Sequence, residues 1–363
     1  MKDIEDPCME MEFKPDWPQA SERFEAWWAG EVMDRVALQV TSPRDGCQDA
    51  DHQRSTHNQW TDVARIVETA EERMRATFYG GEAFPVYFPN LGPDVFSAYL
   101  GSELVFDAHT SWAEPIIMDW DDMPDLRFDR NNRWWKLTLE LIDQGMTRAP
   151  QRYFVGLTDL HGGMDALAAL RGREQLCVDL IERPDAVKDL MRNVITPLWF
   201  EIYDGMYQRS RGKQTGTSTW LTAWSPGKWY PTSCDFAALI SPDMFDEFVL
   251  PDITEEVLWL DRSLYHLDGP DAVRHLDSLL KIPDLGGIQW VPGAGAPPMT
   301  EWIPLLKRVQ KAGKLLHLSI KADEVEPLLK TLSARGLMLS TQCATETEAR
   351  RLLSDAETWT RGV

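Results

Sequence analysis

Three side chains of metal-binding type lie at or just after strand-like segments in the last third of the chain. His266 and Asp268 are two residues apart at the end of the apolar segment 263–268, so on a strand they project from the same face. Cys343 follows a second such segment, 337–341. Imidazole, carboxylate and thiolate groups all bind zinc, and catalytic zinc sites combine three protein ligands with an open position. Ordinary packing is the alternative, because a lone Cys after a strand is usually a buried apolar group.

Two other segments carry candidate catalytic or binding groups. Asp159 and His161 lie at the end of the strand-like segment 153–159, and the two glycines that follow permit close backbone approach. We interpret them as catalytic candidates that line a cleft. Tyr87 and Asn90 lie in a loop rich in Pro, Gly and aromatic residues, where they are candidates for closing over a substrate.

The chain contains 16 tryptophans, and several lie in loop-like segments. An aromatic-lined cleft is one explanation, and packing beneath long loops is the other. The aromatic candidates for substrate binding are Trp220, Trp224, Tyr230 and Trp290.

Four further polar residues in the second half are given other interpretations. Cys234 and Asp235 could supply an extra metal ligand, although a helix-capping role is favoured for Asp235. His275 falls in a predicted helix and is interpreted as structural. His317 lies in the middle of a predicted strand and is interpreted as a packed histidine.

Regular strand–helix alternation in the last hundred residues must position these groups. Strands are predicted at 263–268, 287–291, 314–320 and 337–341, each followed by a helical pattern, which indicates a parallel sheet. No G-x-G-x-x-G or Walker-type loop follows a strand, and 363 residues suit a (β/α)8 barrel with insertions. An open, doubly wound sheet is the other closure.

We therefore predict an α/β protein with a single-domain (β/α)8 TIM barrel and a site at the carboxyl ends of its strands. The predicted organisation is an acidic N-terminal arm (1–19), the barrel (20–357) and a C-terminal tail (358–363).

Composition excludes several classes of function. The net charge of −21 argues against nucleic acid as a partner, because such binding requires Lys and Arg to neutralise phosphates. No run of about 18 apolar residues is present, so no membrane partner is expected. The acidic N-terminus is unlike a signal peptide, and five widely spaced cysteines are typical of a reducing compartment. A cytoplasmic protein is expected.

Five short segments of the chain together resemble the uroporphyrinogen decarboxylase-like superfamily. The segments are Tyr265-His-Leu-Asp-Gly-Pro270, His275-Leu-Asp277, Ile288-Gln-Trp-Val-Pro-Gly293, Gly313-Lys314 and Leu337 to Cys343. The resemblance extends from about residue 20 to 357 and is strongest after residue 150. It implies a (β/α)8 barrel and either decarboxylase chemistry or zinc-dependent methyl transfer between a corrinoid and a thiol.

The methyltransferase branch of that superfamily uses a His-x-Cys pair on one strand and a second Cys after the last strand. By resemblance, His266 corresponds to the His and Cys343 to the second Cys, but Asp268 stands where the first Cys is expected. A carboxylate is a harder ligand, so the metal would be more Lewis-acidic, and a divalent ion other than zinc would also suit it. The Arg-rich loop of the decarboxylase branch has no counterpart, since Asp34-Arg35 lacks a paired arginine.

The leading hypothesis is a metal-assisted methyltransferase that acts on a small molecule. The metal would be Zn²⁺ or another divalent ion at His266, Asp268 and Cys343, and a corrinoid would be carried by a separate partner protein. The resemblance also allows a homodimer. One alternative is a metal-free decarboxylase or lyase for a small organic acid or tetrapyrrole-like substrate, in which Asp268 or Asp159 moves protons or stabilises a cation. A non-catalytic ligand-binding barrel is the third hypothesis.

Overall fold

The computed structural model describes residues 11–46 and 59–361, and its centre is a seven-stranded, mostly parallel β-sheet. The described strands are β1 (Ala37–Pro43), β2 (Thr77–Gly81), β3 (Val86–Tyr87), β4 (Leu104–Phe106), β5 (Ser111–Ala113), β6 (Phe154–Val155), β7 (Trp229–Ser233), β8 (Arg262–Asp268), β9 (Gly287–Val291), β10 (Leu315–Ser319) and β11 (Leu337–Gln342). The sheet has the order β2-β1-β11-β10-β9-β8-β7, and only β2 runs antiparallel to its neighbour. The predicted α/β class is therefore confirmed, while closure into a (β/α)8 barrel stays a prediction.

Helices connect the strands and cover the sheet. They are α1 (Trp17–Trp28), α2 (Val63–Ala76), α3 (Val95–Tyr99), α4 (Arg133–Arg148), α5 (Gly163–Arg171), α6 (Arg173–Glu182), α7 (Pro184–Leu190), α8 (Thr196–Ser210), α9 (Pro242–Phe248), α10 (Leu250–Trp259), α11 (Leu276–Leu279), α12 (Ile303–Lys311), α13 (Val325–Leu329) and α14 (Glu346–Arg361). Two further two-stranded sheets lie in the first half, β3 beside β6 and β4 beside β5.

The four strand–helix units predicted near the C-terminus are confirmed as β8 to β11, in adjacent positions and in the order of the sequence. Gly313 follows α12 with φ +73°, a conformation that glycine adopts without steric cost and that lets the chain turn into β10. At the start of α14, Thr345 Oγ1 accepts the Glu348 N–H at 3.2 Å and so caps the helix. Short connections thus bring four strand ends to one edge of the sheet.

Two predicted elements differ from the structure. The strand expected over 153–159 is only Phe154–Val155, and the helix expected around His275 is a 3-10 turn, Pro270–His275, followed by α11. In the middle of the chain, a long helical segment is divided into α7, a π-helical turn at Met191–Ile195, and α8. Pro197 lies in the first turn of α8, where its missing N–H is tolerated, and this explains why the division occurs there.

An aromatic cluster packs at the amino-terminal ends of the strands. Trp17 and Phe24 of α1 contact Trp224, with ring centroids 5.4 and 6.4 Å from it. The first residues of β7 and β10, Trp229 and Leu315, belong to the same buried cluster. Many of the tryptophans therefore serve packing at the end of the sheet opposite the strand carboxyl ends.

Helix α1 begins at Trp17, inside the segment 1–19 that was predicted to be an acidic arm. Residues 11–19 of that arm are described, and Lys14 within it is completely buried. The Lys14 ammonium donates hydrogen bonds to the carbonyl oxygens of Tyr79 (3.1 Å) and Gly81 (2.6 Å) on β2. The N-terminal segment is thus attached to the strand at one edge of the sheet.

Among the described residues, no helix combines the length and the apolar character needed to span a bilayer. The three described cysteines, Cys177, Cys234 and Cys343, are free thiols. Cys8 and Cys47 lie outside the described residues.

Candidate metal centre

One group of three side chains in the described ranges has its potential ligand atoms close enough to hold a metal ion. It consists of Asp235, His266 and Asp268, whose ligand atoms all lie within 4.8 Å of one another. Asp235 follows β7, and His266 and Asp268 end β8. Since β7 and β8 pair in parallel with Ser233 opposite His266, all three residues reach the same edge of the sheet.

Gln289 on β9 orients the imidazole of His266. Its side-chain carbonyl oxygen hydrogen-bonds the Nδ1 atom, and an oxygen acceptor requires Nδ1 to carry the proton. The Nε2 atom is then left with its lone pair, as metal ligation requires. The ring edge of Trp220 also packs against the imidazole, with centroids 5.0 Å apart. Two neighbours thus fix both the tautomer and the position of His266.

Asp235 is held in place by a buried carboxylate, Asp165 at the start of α5. Asp165 accepts the backbone N–H groups of Asp235 at 2.9 Å and Phe236 at 2.8 Å. The prediction that Asp235 caps this turn is therefore wrong: Asp165 satisfies the free N–H groups, and the side chain of Asp235 remains exposed. Burial raises the pKa of Asp165 above its ordinary value.

Asp159 and His161 form an ion pair beside this group. Asp159 Oδ1 lies 3.5 Å from His161 Nε2 and accepts a hydrogen bond from the Tyr230 hydroxyl at 3.2 Å. Burial raises the pKa of Asp159. Burial opposes protonation of His161, but the negative charges of Asp159, Asp165 and Asp235 outweigh it and raise the pKa of His161. The pair can accordingly hold and exchange a proton.

Negative charge predominates in what we call the acidic cluster, formed by Asp159, His161, Asp165, Asp235, His266 and Asp268. Neither Asp235 nor Asp268 forms a salt bridge with a described Lys or Arg, and both are exposed. Carboxylate oxygens and an imidazole nitrogen are the donors that hard and borderline divalent cations prefer. The cluster therefore has the donors and the charge to bind such a cation.

Cys343, the third predicted metal ligand, is not part of this group. It follows β11, and β10 and β9 lie between β11 and β8. Its backbone N–H donates to the Thr41 carbonyl at 2.9 Å, and the residue lines a small pocket of about 240 Å³ with Thr41 and Arg73. Burial raises the pKa of the Cys343 thiol. The structure thus brings Asp235, which was predicted to be a cap, beside His266 and Asp268 instead of Cys343.

A cavity of about 1120 Å³ lies beside His266. Trp220 and Gln289, both of which contact His266, belong to its lining. Its floor is a row of polar side chains from neighbouring strands, which we call the polar row: Gln39, Ser340, His317 and Gln289. The row ends at Gln289, which hydrogen-bonds His266, so the cavity borders the group formed by Asp235, His266 and Asp268.

The polar row was not predicted from the sequence. Gln39, His317 and Gln289 are single polar residues within apolar strand segments, and such residues project together only when strand register aligns them. The structure places Gln289 opposite both His266 and His317, and Gln39 opposite Ser340. His317 was interpreted as packed, and it is indeed buried, but it also lines the cavity.

The remaining candidates have structural surroundings. Trp224 lies in the aromatic cluster described above, and Trp290 is buried against Trp302 with ring centroids 4.9 Å apart. Tyr87 is buried next to α4, where Gly145 leaves room for its ring. Asn90 is exposed, and its side chain accepts the Gly92 N–H at 2.8 Å in a local turn. None of these four side chains is among those lining the cavity.

No protein-family model matches the chain, and no curated protein matches it at a meaningful level of similarity.

Proposed function

We propose that this chain is a metal-assisted methyltransferase of the uroporphyrinogen decarboxylase-like type. The observation that carries the proposal is the convergence of Asp235, His266 and Asp268 next to a large cavity. The family assignment rests on the sequence resemblance described above.

The proposal includes a closed (β/α)8 barrel. Between β2 and β7, the short parallel pair β3–β6 and the segment 217–219 continue the strand-like hydrogen bonding. The Gly156 N–H donates to the Tyr87 carbonyl at 2.8 Å, and the Leu157 N–H donates to the Ser218 carbonyl at 2.9 Å. These bonds support a wall that closes the sheet into a barrel with the metal centre at its mouth.

A divalent ion held by Asp235, His266 and Asp268 would act as a Lewis acid that lowers the pKa of a bound thiol or other nucleophile. Zn²⁺ fits this donor set, and so do harder divalent ions, because no thiolate is present in the group. Gln289 keeps Nε2 of His266 available, while the Asp159–His161 pair holds a proton close by. The small-molecule substrate would occupy the cavity, and a corrinoid would be delivered by a separate protein.

A metal-free lyase is the second candidate, and a specific observation favours it. Tyr230 on β7 is buried and hydrogen-bonds Asp159, which forms an ion pair with His161 in the segment after β6. Both members of the pair are half-buried, an arrangement suited to general acid–base catalysis. In this candidate, Asp159 moves the proton and the acidic cluster stabilises a cationic intermediate.

Metal content of the purified protein separates the two candidates. We expect about one equivalent of a divalent ion in the wild type, as in other three-ligand sites. Its loss is expected in His266→Ala, Asp235→Asn and Asp268→Asn. Cys343→Ala is the matched control, and it should retain the ion because Cys343 lies outside the group.

A wild type that stays free of metal after reconstitution would contradict the methyltransferase proposal. In that case a pH–rate profile that changes in Asp159→Asn would support the lyase. For a metal-loaded protein, demethylation of a methylated donor with a corrinoid protein present is the activity to measure. Loss of metal in Cys343→Ala together with retention in Asp235→Asn would restore the ligand set expected from the resemblance.

A further inference from the structure

We propose that Gln289 and His317 form a donor–acceptor pair in the cavity that binds the edge of a neutral cyclic amide. Such an edge carries one N–H donor beside one carbonyl acceptor. The inference rests on the proposed function in one respect, since it takes the cavity as the place where the substrate binds.

The acceptor is defined by a chain of hydrogen bonds that starts at Gln39. Its side-chain nitrogen donates to the Thr222 carbonyl at 2.5 Å, so its side-chain oxygen must face Ser340. The Ser340 hydroxyl donates its single proton to that oxygen at 2.5 Å. It can therefore only accept from His317 Nε2, which lies 3.1 Å away. Nε2 thus carries the proton, and Nδ1 of His317 is left as an acceptor.

That acceptor has no protein partner. His317 is 2 % exposed, and its Nδ1 atom is buried without a hydrogen bond to any described residue. Burial lowers the pKa of His317 to about 4, so the ring is neutral at physiological pH. An unsatisfied buried acceptor in a cavity wall is costly, and a ligand N–H would satisfy it.

The donor comes from the neighbouring strand. Gln289 is directly opposite His317 in the register of β9 and β10. Its side-chain oxygen accepts the hydrogen bond from His266 on β8, and β8 and β10 flank β9 on opposite sides. The amide nitrogen is therefore left to donate to a ligand in the cavity. Neighbouring strands are about 4.8 Å apart, a spacing that one amide edge can bridge.

The rest of the lining favours a flat and uncharged ligand. Within the described residues it contains no arginine, and its two charged side chains are Lys321, which is exposed, and Glu324. The Glu324 carboxylate is already occupied by the N–H groups of Lys321 (3.0 Å) and Thr300 (3.4 Å). Apolar walls complete the cavity, among them Phe84, Trp220, Pro292, Pro297 and Met299. Neutral amide recognition between apolar walls suits a ring and disfavours a polycarboxylate.

The test compares oxindole, a bicyclic lactam, with N-methyloxindole by isothermal titration calorimetry at neutral pH. Methylation removes the N–H donor and leaves the His317 acceptor unpaired. We expect oxindole to bind about tenfold more tightly to the wild type, as for other buried hydrogen bonds of this kind. In His317→Phe, this preference should fall to about onefold because the acceptor is gone. His275→Phe is the matched control, since His275 is equally buried and has an unpartnered Nδ1 but lies outside the cavity.

A second measurement does not depend on a variant that folds. In wild-type protein with ¹⁵N-labelled histidine, oxindole should shift the Nδ1 resonance of His317, and N-methyloxindole should not. Equal binding of the two probes, no saturable binding, or a preference that survives in His317→Phe would overturn the inference. Metal content is measured on the same samples. Loss of the probe preference with metal present rejects this inference alone, and a preference without metal rejects only the proposed metal chemistry.

Discussion

Carboxylates are concentrated in two regions of the molecule, and the two regions differ in whether arginine side chains neutralise them. In the Glu71 cluster (Glu71, Arg148, Arg152 and Tyr153), one carboxylate accepts hydrogen bonds from Arg148 at 2.7 and 2.9 Å and from Arg152 at 2.9 Å. In the acidic cluster, four carboxylates face two imidazoles and no arginine or lysine of the described chain forms a salt bridge with them. The first arrangement stabilises the fold, whereas the second leaves carboxylates without Arg or Lys partners, at a cost in stability for the buried Asp165, and is therefore suited to binding.

The largest effect on stability is expected from removing the negative charge of Glu71. Burial opposes ionisation of Glu71, but hydrogen bonds from Arg148 and Tyr153 outweigh it and lower its pKa to about 2. A depressed carboxyl pKa adds stability above the unfolded-state value of 4.5 that is lost as pH falls toward 2. Glu71→Gln should therefore lower the free energy of unfolding at pH 7 by about 3 kcal/mol.

Urea denaturation at pH 7 and pH 3 tests this prediction, and the difference between variant and wild type should shrink at the lower pH. Glu68→Gln is the control. Glu68 lies on the same helix but is exposed, and its carboxylate comes no closer than 3.8 Å to the Arg148 guanidinium, which is too far for a hydrogen bond. Equal effects of the two substitutions would remove the contrast between the clusters.

A gain in stability is expected from removing the negative charge of Asp252, which lies next to the acidic cluster. Asp252 on α10 is buried, accepts a hydrogen bond from Thr196, and has its pKa raised by burial to about 6. A raised carboxyl pKa means that stability falls as pH rises from the unfolded-state value of 3.8 to about 6. Asp252→Asn keeps the acceptor oxygen and avoids the charge, so it should raise the free energy of unfolding at pH 8 by about 2 kcal/mol.

Thermal denaturation of Asp252→Asn at pH 4 and pH 8 measures this gain, which should be absent at the lower pH. Asp243→Asn is the control, because Asp243 lies on the neighbouring helix α9 and is exposed. If Asp252→Asn were less stable than the wild type at pH 8, the Asp252 carboxylate would stabilise the fold, as the Glu71 carboxylate does.

The smallest effect on stability is expected at Asp268, one of the three candidate metal ligands. Asp268 is exposed and forms no salt bridge with a described residue, so Asp268→Asn should change the free energy of unfolding by less than about 0.5 kcal/mol with chelator present. Without chelator and with added metal, the wild type alone should gain stability, because only its site binds the ion. A large loss in chelator would indicate a structural role for Asp268.

The sequence predicted the regular part of the fold well. Strands β8, β9, β10 and β11 were identified because apolar segments alternate with helical patterns at short spacing, and both signals are local. The middle of the chain was predicted poorly. Its short strands β3 and β6 and its 3-10 turns are held by tertiary contacts, such as the bond from Leu157 to Ser218, that no local pattern reveals.

Two of the three residues in the candidate site were predicted from the sequence as a pair of metal ligands. His266 and Asp268 share one strand, so their proximity follows from their spacing. Asp235 joins them from another strand because Asp165, seventy residues earlier, fixes the turn that carries it. Cys343 was predicted from its position after a strand and from the resemblance, but the order of the sheet separates it from β8. Local spacing thus identified the pair, while contacts distant in sequence determined its third member.

The attachment of Lys14 to β2 has a consequence for solubility. A strand at the margin of a sheet offers free carbonyl oxygens to which another chain can add a strand. On β2, the carbonyls of Tyr79 and Gly81 are instead occupied by the buried ammonium of Lys14. Shortening the protein past this lysine would uncover those acceptors, and the expected outcome is self-association through β2 long before the fold itself is lost.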